Sequence, residues 1–166
     1  SHEKGVIQLL DLLLSFDNLN NHYLLKKDIQ IDFCFKKNEL DSEIYLKLHS
    51  NNFFKINFLG NLKGDLFIET MCKYDVVVIP SRWESFSINA FEALLCQCGL
   101  VITSESPWEF ISTINRNLPI HICNPCLKET LLWDFLEKCY EIKLKSRNKI
   151  NLKLLIENLN LESQVI

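Results

Sequence analysis

The sequence predicts an α/β domain with a doubly wound parallel sheet flanked by helices on both faces. Short runs rich in β-branched residues alternate along the chain with segments of helical periodicity. The connections between these segments are short, which favours parallel strands joined by helical crossovers. At 166 residues, the chain is long enough for one domain and too short for two ordinary ones.

Hydrophobic spacing places the individual elements. Val6, Leu9 and Leu13 recur at helical spacing and predict a first helix over residues 5–16. Residues 75–80 form a compact apolar run that predicts a buried strand. The other predicted strands cover residues 29–35, 53–59, 100–103 and 119–123. The other predicted helices cover residues 39–48, 66–74, 87–97, 107–114, 127–143 and 152–159.

The chain opens on a helix, which is unusual for this fold class. A doubly wound domain usually begins with a strand, so we expect the first strand to lie upstream of Ser1. Residues 1–166 are then expected to form a single domain that lacks this strand.

Composition excludes several classes of function. A net charge of −3 predicts no nucleic-acid binding, because contacts to a phosphate backbone need a basic patch. No apolar run approaches the roughly 20 residues of a membrane-spanning helix. The seven cysteines are an odd number scattered through apolar segments, which favours buried thiols in a reducing cytoplasm over a disulfide framework.

Two close cysteine pairs raise the alternative of a metal or redox site. Cys96 and Cys98 form one pair, and Cys123 and Cys126 form the other. Because Cys98 precedes a predicted strand and Cys123 ends the next, parallel neighbours would place the pairs at opposite ends of the sheet. We therefore predict no zinc site. A thioredoxin-like role for the second pair is disfavoured because no further strands follow it.

The loop after the predicted strand 75–80 is the strongest candidate for chemistry. Ligands of doubly wound sheets bind beyond the C-terminal ends of the strands. The next helix begins near residues 85–87, and its first backbone N–H groups and dipole form an anion site. Glu84 lies in the loop immediately before these donors.

A second glutamate, Glu92, falls in the second turn of that helix. It shares a helical stripe with Ile88, Phe91 and Leu95, which is otherwise apolar. A carboxylate on an apolar face is costly unless it is hydrogen-bonded, and ribose or sugar hydroxyls are suitable partners. The simpler alternative is that both glutamates only complement the helix dipole.

The surrounding residues resemble a known signature. Residues 80–87, Pro-Ser-Arg-Trp-Glu-Ser-Phe-Ser, followed by Glu92, are similar to the Glu, seven residues, Glu motif of retaining GT-B glycosyltransferases of the family-four type, the glycosyl transferases group 1. Weaker matches flank it in the expected order: Glu3-Lys4-Gly5, Phe58-Leu59-Gly60, residues 99–103 and residues 108–111. The resemblance implies the C-terminal, Rossmann-like half of a GT-B fold, with the N-terminal acceptor domain absent.

By this resemblance, Lys4 and Glu84 have catalytic roles. Lys4 is expected to contact the donor diphosphate as charge builds on the leaving group, and Glu84 to lie near the transferred sugar. Glu92 is expected to bind the ribose hydroxyls. Further donor contacts are expected from the backbone amides of Ser85, Phe86 and Ser87, from Gly60 and Asn61 beside the base, and from Arg82 beside the phosphate.

The implied function is donor binding in a glycosyltransferase that retains the anomeric configuration. The donor is a nucleotide diphosphate-sugar, and neither a metal nor another cofactor is implied. The acceptor, a sugar, lipid-linked or glycan molecule, is expected to bind mainly to the N-terminal half. The family setting is surface polysaccharide assembly in the cytoplasm at the inner face of the membrane, with peripheral membrane association of the full-length protein.

The sequence departs from the family pattern at several glycines. Ser85 and Ser87 stand where the pattern has glycine, which restricts the backbone geometry and the close approach of a ligand. A degenerate, non-catalytic domain that serves binding or assembly is therefore an alternative. A third alternative, a sugar-nucleotide epimerase, relies on additional carboxylates and histidines at the cleft that the sequence does not identify.

Overall fold

The computed structural model describes residues 4–15, 29–36, 40–50 and 53–146. Helices and strands alternate within these ranges as predicted. In chain order they are α1 (Val6–Leu14), β1 (Ile29–Phe33), α2 (Ser42–Ser50), β2 (Phe54–Phe58), α3 (Gly64–Met71), β3 (Val76–Ile79), α4 (Ile88–Leu95), β4 (Gly99–Thr103), α5 (Pro107–Ile114), β5 (Ile120–Cys123) and α6 (Leu132–Ser146). The predicted helix over residues 152–159 lies outside the described residues. No helix in the described ranges is both long enough and apolar enough to cross a membrane.

The strands pair in parallel but form two sheets. β1 pairs with β2, and β3, β4 and β5 pair in that order. No strand precedes α1 within the described ranges, so the strand expected before it stays a prediction. The predicted α/β fold class is confirmed. The sequence predicted one continuous sheet, whereas the described strands form one sheet of two strands and one of three.

β4 is the centre of the domain, and all five of its residues are buried. Its side chains alternate between two cores, as the two-residue period of a strand requires. Leu100 and Ile102 pack with α4 and α5, whereas Val101 packs with α1 and α6. Helices therefore cover both faces of the three-stranded sheet, which is the doubly wound arrangement.

Close packing and two hydrogen bonds to one carboxylate hold the outer elements in place. A Cβ on Gly99 would lie 2.2 Å from Ile142 Cγ2, so a glycine is needed where α6 crosses the start of β4. Asp32 of β1 accepts hydrogen bonds from Asn57 Nδ2 at 2.7 Å and from the Tyr74 hydroxyl. Because Tyr74 precedes β3, this second bond links the two sheets.

The start of α6 differs from the prediction. The helix begins at Leu132 rather than at residue 127, and a short 3₁₀ helix at Pro125–Leu127 precedes it. Cys126, Leu127 and Glu129 all have positive φ, which an α-helix of L-residues does not accommodate. The apolar residues of this segment have helical spacing, which led to the prediction of a helix. Their spacing does not report backbone angles, so it could not show where the helix begins.

Candidate functional site

The loop over residues 80–87 leaves the sheet at the C-terminal end of β3. Pro80 lacks an N–H group and ends the strand, because it cannot extend the ladder of hydrogen bonds. Ser81 is only 1% exposed, so the start of the loop is packed into the domain. The loop then runs directly into α4, as the sequence predicts.

Glu84 is the centre of a polar cluster in this loop. Its Oε1 accepts hydrogen bonds from Ser81 Oγ at 2.5 Å and from Lys4 Nζ at 2.8 Å. The Glu84 side chain is 10% exposed, whereas that of Lys4 is 61% exposed. Two donors therefore satisfy a largely buried carboxylate oxygen. Because the Lys4 side chain is mostly exposed, an anion in solution can reach it, whereas Glu84 remains largely buried beside Ser81.

Gly5 brings Lys4 to this cluster. It is buried with φ 65, and a Cβ at this position would lie 1.8 Å from the Pro80 carbonyl oxygen. The segment before α1 therefore packs directly against the residue that ends β3, a contact that requires glycine. The structure thus places Lys4 and Glu84 together, although 80 positions separate them in the sequence.

The β4–α5 connection holds the backbone of the loop. Glu84 N donates to Glu105 O at 3.0 Å. The fully buried Trp108 donates through Nε1 to Phe86 O at 2.6 Å, and the centroids of the two rings lie 5.3 Å apart. Sequence reasoning gave no site role to Trp108 or to Ser81. A buried indole needs an acceptor, but the sequence does not reveal which carbonyl provides it.

The N-terminus of α4 presents unused hydrogen-bond donors. The backbone N–H groups of residues 85–89 donate to no described residue. The first bonded amide is that of Ala90, which donates to Ser87 O at 3.0 Å. Free N–H groups at the positive end of a helix dipole can bind an anion. The expected donor contacts at Ser85, Phe86 and Ser87 fall among these free amides.

Ser87 and Ser85 differ in backbone conformation, although both stand where the glycosyltransferase motif that residues 80–87 resemble has glycine. Ser87 has φ 51 and ψ 88 at the N-cap of α4, and its side chain makes no capping hydrogen bond. Ser85 is not among the residues with positive φ. The loss of glycine therefore imposes backbone strain at Ser87 and none at Ser85.

Glu92 lies in α4 as predicted, but its surroundings correct one expectation. The stripe that it shares is open to solvent at Ile88 and Leu95, since these residues are 69% and 39% exposed. The residues of α4 that enter the core are Ala90, Ala93 and Leu94. Glu92 is half-buried, and its carboxylate has no hydrogen-bond partner among the described residues. Phe91, the third residue of the stripe, packs against the core, so the stripe is partly covered and partly open. The open part weakens the argument that Glu92 needs a ligand to offset burial, and its expected contact with the ribose stays a prediction.

The remaining predicted site residues lie in loops. Gly60 follows β2 with φ 74, and its N–H donates to Phe35 O at 3.2 Å. Asn61 and Arg82 are exposed. Within the part of the chain that the structure describes, no hydrogen bond or ion pair joins these residues to Glu84.

Metal-ligating side chains do not gather in the described ranges: no group of three or more His, Cys, Asp or Glu residues there could hold a metal ion. Thr103 lies opposite Cys123 in the parallel register of β4 and β5. Cys98, which precedes β4, is therefore at the other end of the strands from Cys123, as predicted.

Solved structures share this fold. The chain is similar to the C-terminal domain of a glycosyl transferase group 1 family protein (LpcC) from Francisella tularensis, with 19% identity and a TM-score of 0.57 over 88% of this chain and 75% of that one. It is also similar to a sucrose-phosphate synthase from Thermosynechococcus elongatus, with 13% identity and a TM-score of 0.54 over 99% of this chain and 43% of that one. A glycosyltransferase from Rickettsia africae ESF-5 gives 16% identity and a TM-score of 0.55 over 99% and 45% of the two chains. The chain thus spans less than half the length of the latter two proteins.

The sequence itself also matches a family. No curated protein sequence matches this chain. The model of the family described as Glycosyl transferases group 1 matches residues 1–110, about two thirds of the chain, and this range includes Lys4, Glu84 and Glu92. The chain therefore belongs to the Glycosyl transferases group 1 family.

Proposed function

We propose that this chain is the donor-binding half of a retaining glycosyltransferase, which transfers a sugar from a nucleotide diphosphate-sugar to an acceptor hydroxyl. The observation that carries the proposal is the cluster of Lys4, Ser81 and Glu84 beside the free N–H groups of residues 85–89. A cation, a carboxylate and anion-binding amides lie together at the C-terminal end of β3. Membership of the family supports sugar transfer as the class of reaction.

In the proposed complex, Lys4 exchanges Glu84 for the donor diphosphate. The exposure of the Lys4 side chain supports this exchange, and the amides of residues 85–89 supply further donors to the phosphates. Glu84 keeps the Ser81 hydroxyl on Oε1 and uses its other oxygen to accept a bond from a hydroxyl of the transferred sugar. Glu92 binds the ribose hydroxyls from the half-exposed face of α4.

The proposed reaction occurs on one face of the sugar. The acceptor oxygen attacks the anomeric carbon on the side of the leaving phosphate, the bond from carbon to phosphate oxygen breaks, and the acceptor proton passes to the leaving phosphate. Negative charge grows on the diphosphate in the transition state, and each aligned donor is worth about 2.7–4 kcal/mol there. Lys4 and the loop amides bear this charge without a metal ion, Arg82 assists at the phosphate, and Gly60 and Asn61 contact the base.

The rest of the proposal rests on family resemblance. A separate N-terminal half of the protein binds the acceptor, which is a sugar, lipid-linked or glycan molecule. The setting is surface polysaccharide assembly at the cytoplasmic face of a membrane, to which the full-length protein attaches peripherally.

Calorimetry with this chain tests donor binding. UDP, GDP and their sugar conjugates are titrated in the presence of EDTA, and we expect one nucleotide series to bind weakly without a metal ion. Lys4→Gln should weaken binding of the diphosphate by about 10- to 100-fold, since a charge-assisted bond is worth about 1.5–3 kcal/mol. Binding of the corresponding nucleoside, titrated in parallel, should not change. Glu92→Gln should weaken binding of both the nucleoside diphosphate and the nucleoside. Lys145→Gln, which makes the same charge change at an exposed position in α6, is the matched control.

One observation favours a second candidate, a degenerate domain that serves binding or assembly without catalysis. Ser87 occupies a left-handed conformation where the resembling pattern has glycine. If no nucleotide bound at millimolar concentration, and Glu92→Gln changed nothing, this second candidate would replace the first.

A further inference from the structure

Two cysteine thiols meet at the C-terminal ends of neighbouring helices. Cys72 is the C-cap residue of α3, and Cys96 is the C-cap residue of α4. The Cys72 thiol donates to Cys96 Sγ, and the two sulfur atoms are 2.8 Å apart. A disulfide bond is about 2.05 Å long, so a movement of less than about 1 Å would join them. Cys72 is exposed and Cys96 is half-buried, so small molecules in solution can reach the pair.

The core holds this geometry and keeps a third thiol out of it. Met71, the neighbour of Cys72, and Leu94 of α4 are buried in the same hydrophobic cluster. Cys98 is buried in that cluster as well, and its thiol lies 3.3 Å from the carbonyl oxygens of both Met71 and Tyr74. Two backbone carbonyls therefore engage the buried Cys98 thiol, while the Cys96 thiol, which has a longer contact of 3.8 Å to Ile68 O, faces that of Cys72.

We propose that Cys72 and Cys96 are a site of reversible disulfide formation, oxidised by hydrogen peroxide. The Cys72 sulfur attacks one peroxide oxygen, which gives a sulfenic acid and releases the other oxygen as water. The Cys96 sulfur then attacks the Cys72 sulfur, the S–O bond breaks, and the second oxygen leaves as water with the Cys96 proton. The two thiols lose two electrons and two protons in total, and one peroxide is reduced to two waters. A thiol reductant reverses the change.

The order of the two steps follows from exposure. Burial raises the pKa of Cys96 to about 12. Cys96 therefore forms the attacking thiolate less readily, and it is also less accessible to peroxide than the exposed Cys72, which makes the first attack. Cys96 reacts second because its sulfur already lies against that of Cys72.

The disulfide would tie together the segment that carries β3, the loop over residues 80–87 and α4. Closing the loop between Cys72 and Cys96 restricts the unfolded chain, and the disulfide should therefore raise Tm by on the order of 5 °C. The thiols lie at the end of α4 opposite Glu84, so their oxidation does not depend on the proposed donor site.

The experiment uses the full chain with Cys34→Ser, which removes an exposed thiol outside the pair and suppresses cross-links between molecules. The protein is treated with equimolar hydrogen peroxide, blocked with N-ethylmaleimide and digested with trypsin without a reductant. Cys72 is the one cysteine of tryptic peptide 64–73, and Cys96 and Cys98 share peptide 83–116. Because the second peptide contains two cysteines, Cys96→Ser and Cys98→Ser are tested beside this parent protein.

We expect peptides 64–73 and 83–116 to be joined in the parent and in Cys98→Ser, and to be separate in Cys96→Ser and after dithiothreitol. The rise in Tm should appear only in the proteins that form the cross-link. Recovery of both peptides unlinked from the oxidised parent would overturn the proposal, and so would a cross-link that persists in Cys96→Ser. The parent needs neither of the last two substitutions, so a folding defect in a variant cannot hide a negative result.

Discussion

Replacement of Ser87 by glycine is expected to stabilise the domain. Ser87 has φ 51, and its side chain makes no capping hydrogen bond that would offset the strain. The left-handed region costs an L-residue about 1–2 kcal/mol, and the greater freedom of glycine in the unfolded chain cancels about 0.5–1 kcal/mol of the gain. The expected increase in the free energy of unfolding is about 0.5–1 kcal/mol, or roughly 1–4 °C in Tm.

Urea unfolding followed by far-ultraviolet circular dichroism measures this change as a shift in the midpoint at constant m-value. Ser85→Gly is the matched control, because it makes the same substitution at an exposed loop position without positive φ. It should lower the free energy of unfolding by a few tenths of a kcal/mol. If Ser87→Gly unfolded at the same or a lower urea concentration than Ser85→Gly, the strain assigned to this loop would be refuted.

Three further predictions concern single positions. Gly5→Ala should lower the free energy of unfolding, measured in urea, by about 2–4 kcal/mol, because the alanine Cβ would meet the Pro80 carbonyl oxygen. Gly60→Ala is the control: Gly60 has a similar φ but open space around it, so this substitution should lower the free energy of unfolding by less. Gln97→Gly should add about 0.5–1 kcal/mol in the same assay, since Gln97 has φ 61 directly after α4. Burial lowers the pKa of His121 below its ordinary value, so the unfolded chain binds the proton first. Stability should therefore be full above about pH 6.5 and fall as the pH drops below it, and His121→Gln should flatten this fall in Tm measured from about pH 8 to about pH 5.

The order of elements can be predicted because buried parallel strands leave continuous apolar runs in the sequence. Val76–Ile79 and Gly99–Thr103 are such runs, and both form strands at the expected places. The late start of α6 could not be predicted in this way. It depends on left-handed backbone angles at Cys126 and Leu127, and neither residue type signals such angles.

The sequence predicted the candidate site only in part, because some of its contacts join loops that are far apart in the chain. Resemblance to a family assigned Lys4 and Glu84 to one site, and the structure brings their charged atoms to 2.8 Å. Ser81 and Trp108 were not assigned, because the hydrogen bonds they make to Glu84 and to the Phe86 carbonyl depend on how separate loops pack.

The orientation of α4 was the least predictable feature of the site. The sequence shows an apolar stripe that includes Ile88 and Leu95, but the structure leaves both exposed and buries the small residues Ala90 and Ala93 instead. Small side chains let α4 approach the sheet closely, and a scale that ranks residues by hydrophobicity undervalues them. Glu92 consequently lies on a more open face than its apolar neighbours in the stripe imply.

The division of the strands into two sheets affects how the isolated chain behaves in solution. Among the described strands, β3 pairs with β4 alone, so no described strand covers its other edge. An open edge of this kind is a template for pairing with another chain. The residues Val76–Ile79 are apolar and half-exposed, and they make the edge attractive to a second copy. Aggregation at high concentration should therefore begin at this short strand, and a net charge of −3 spread over the whole surface will oppose it only weakly.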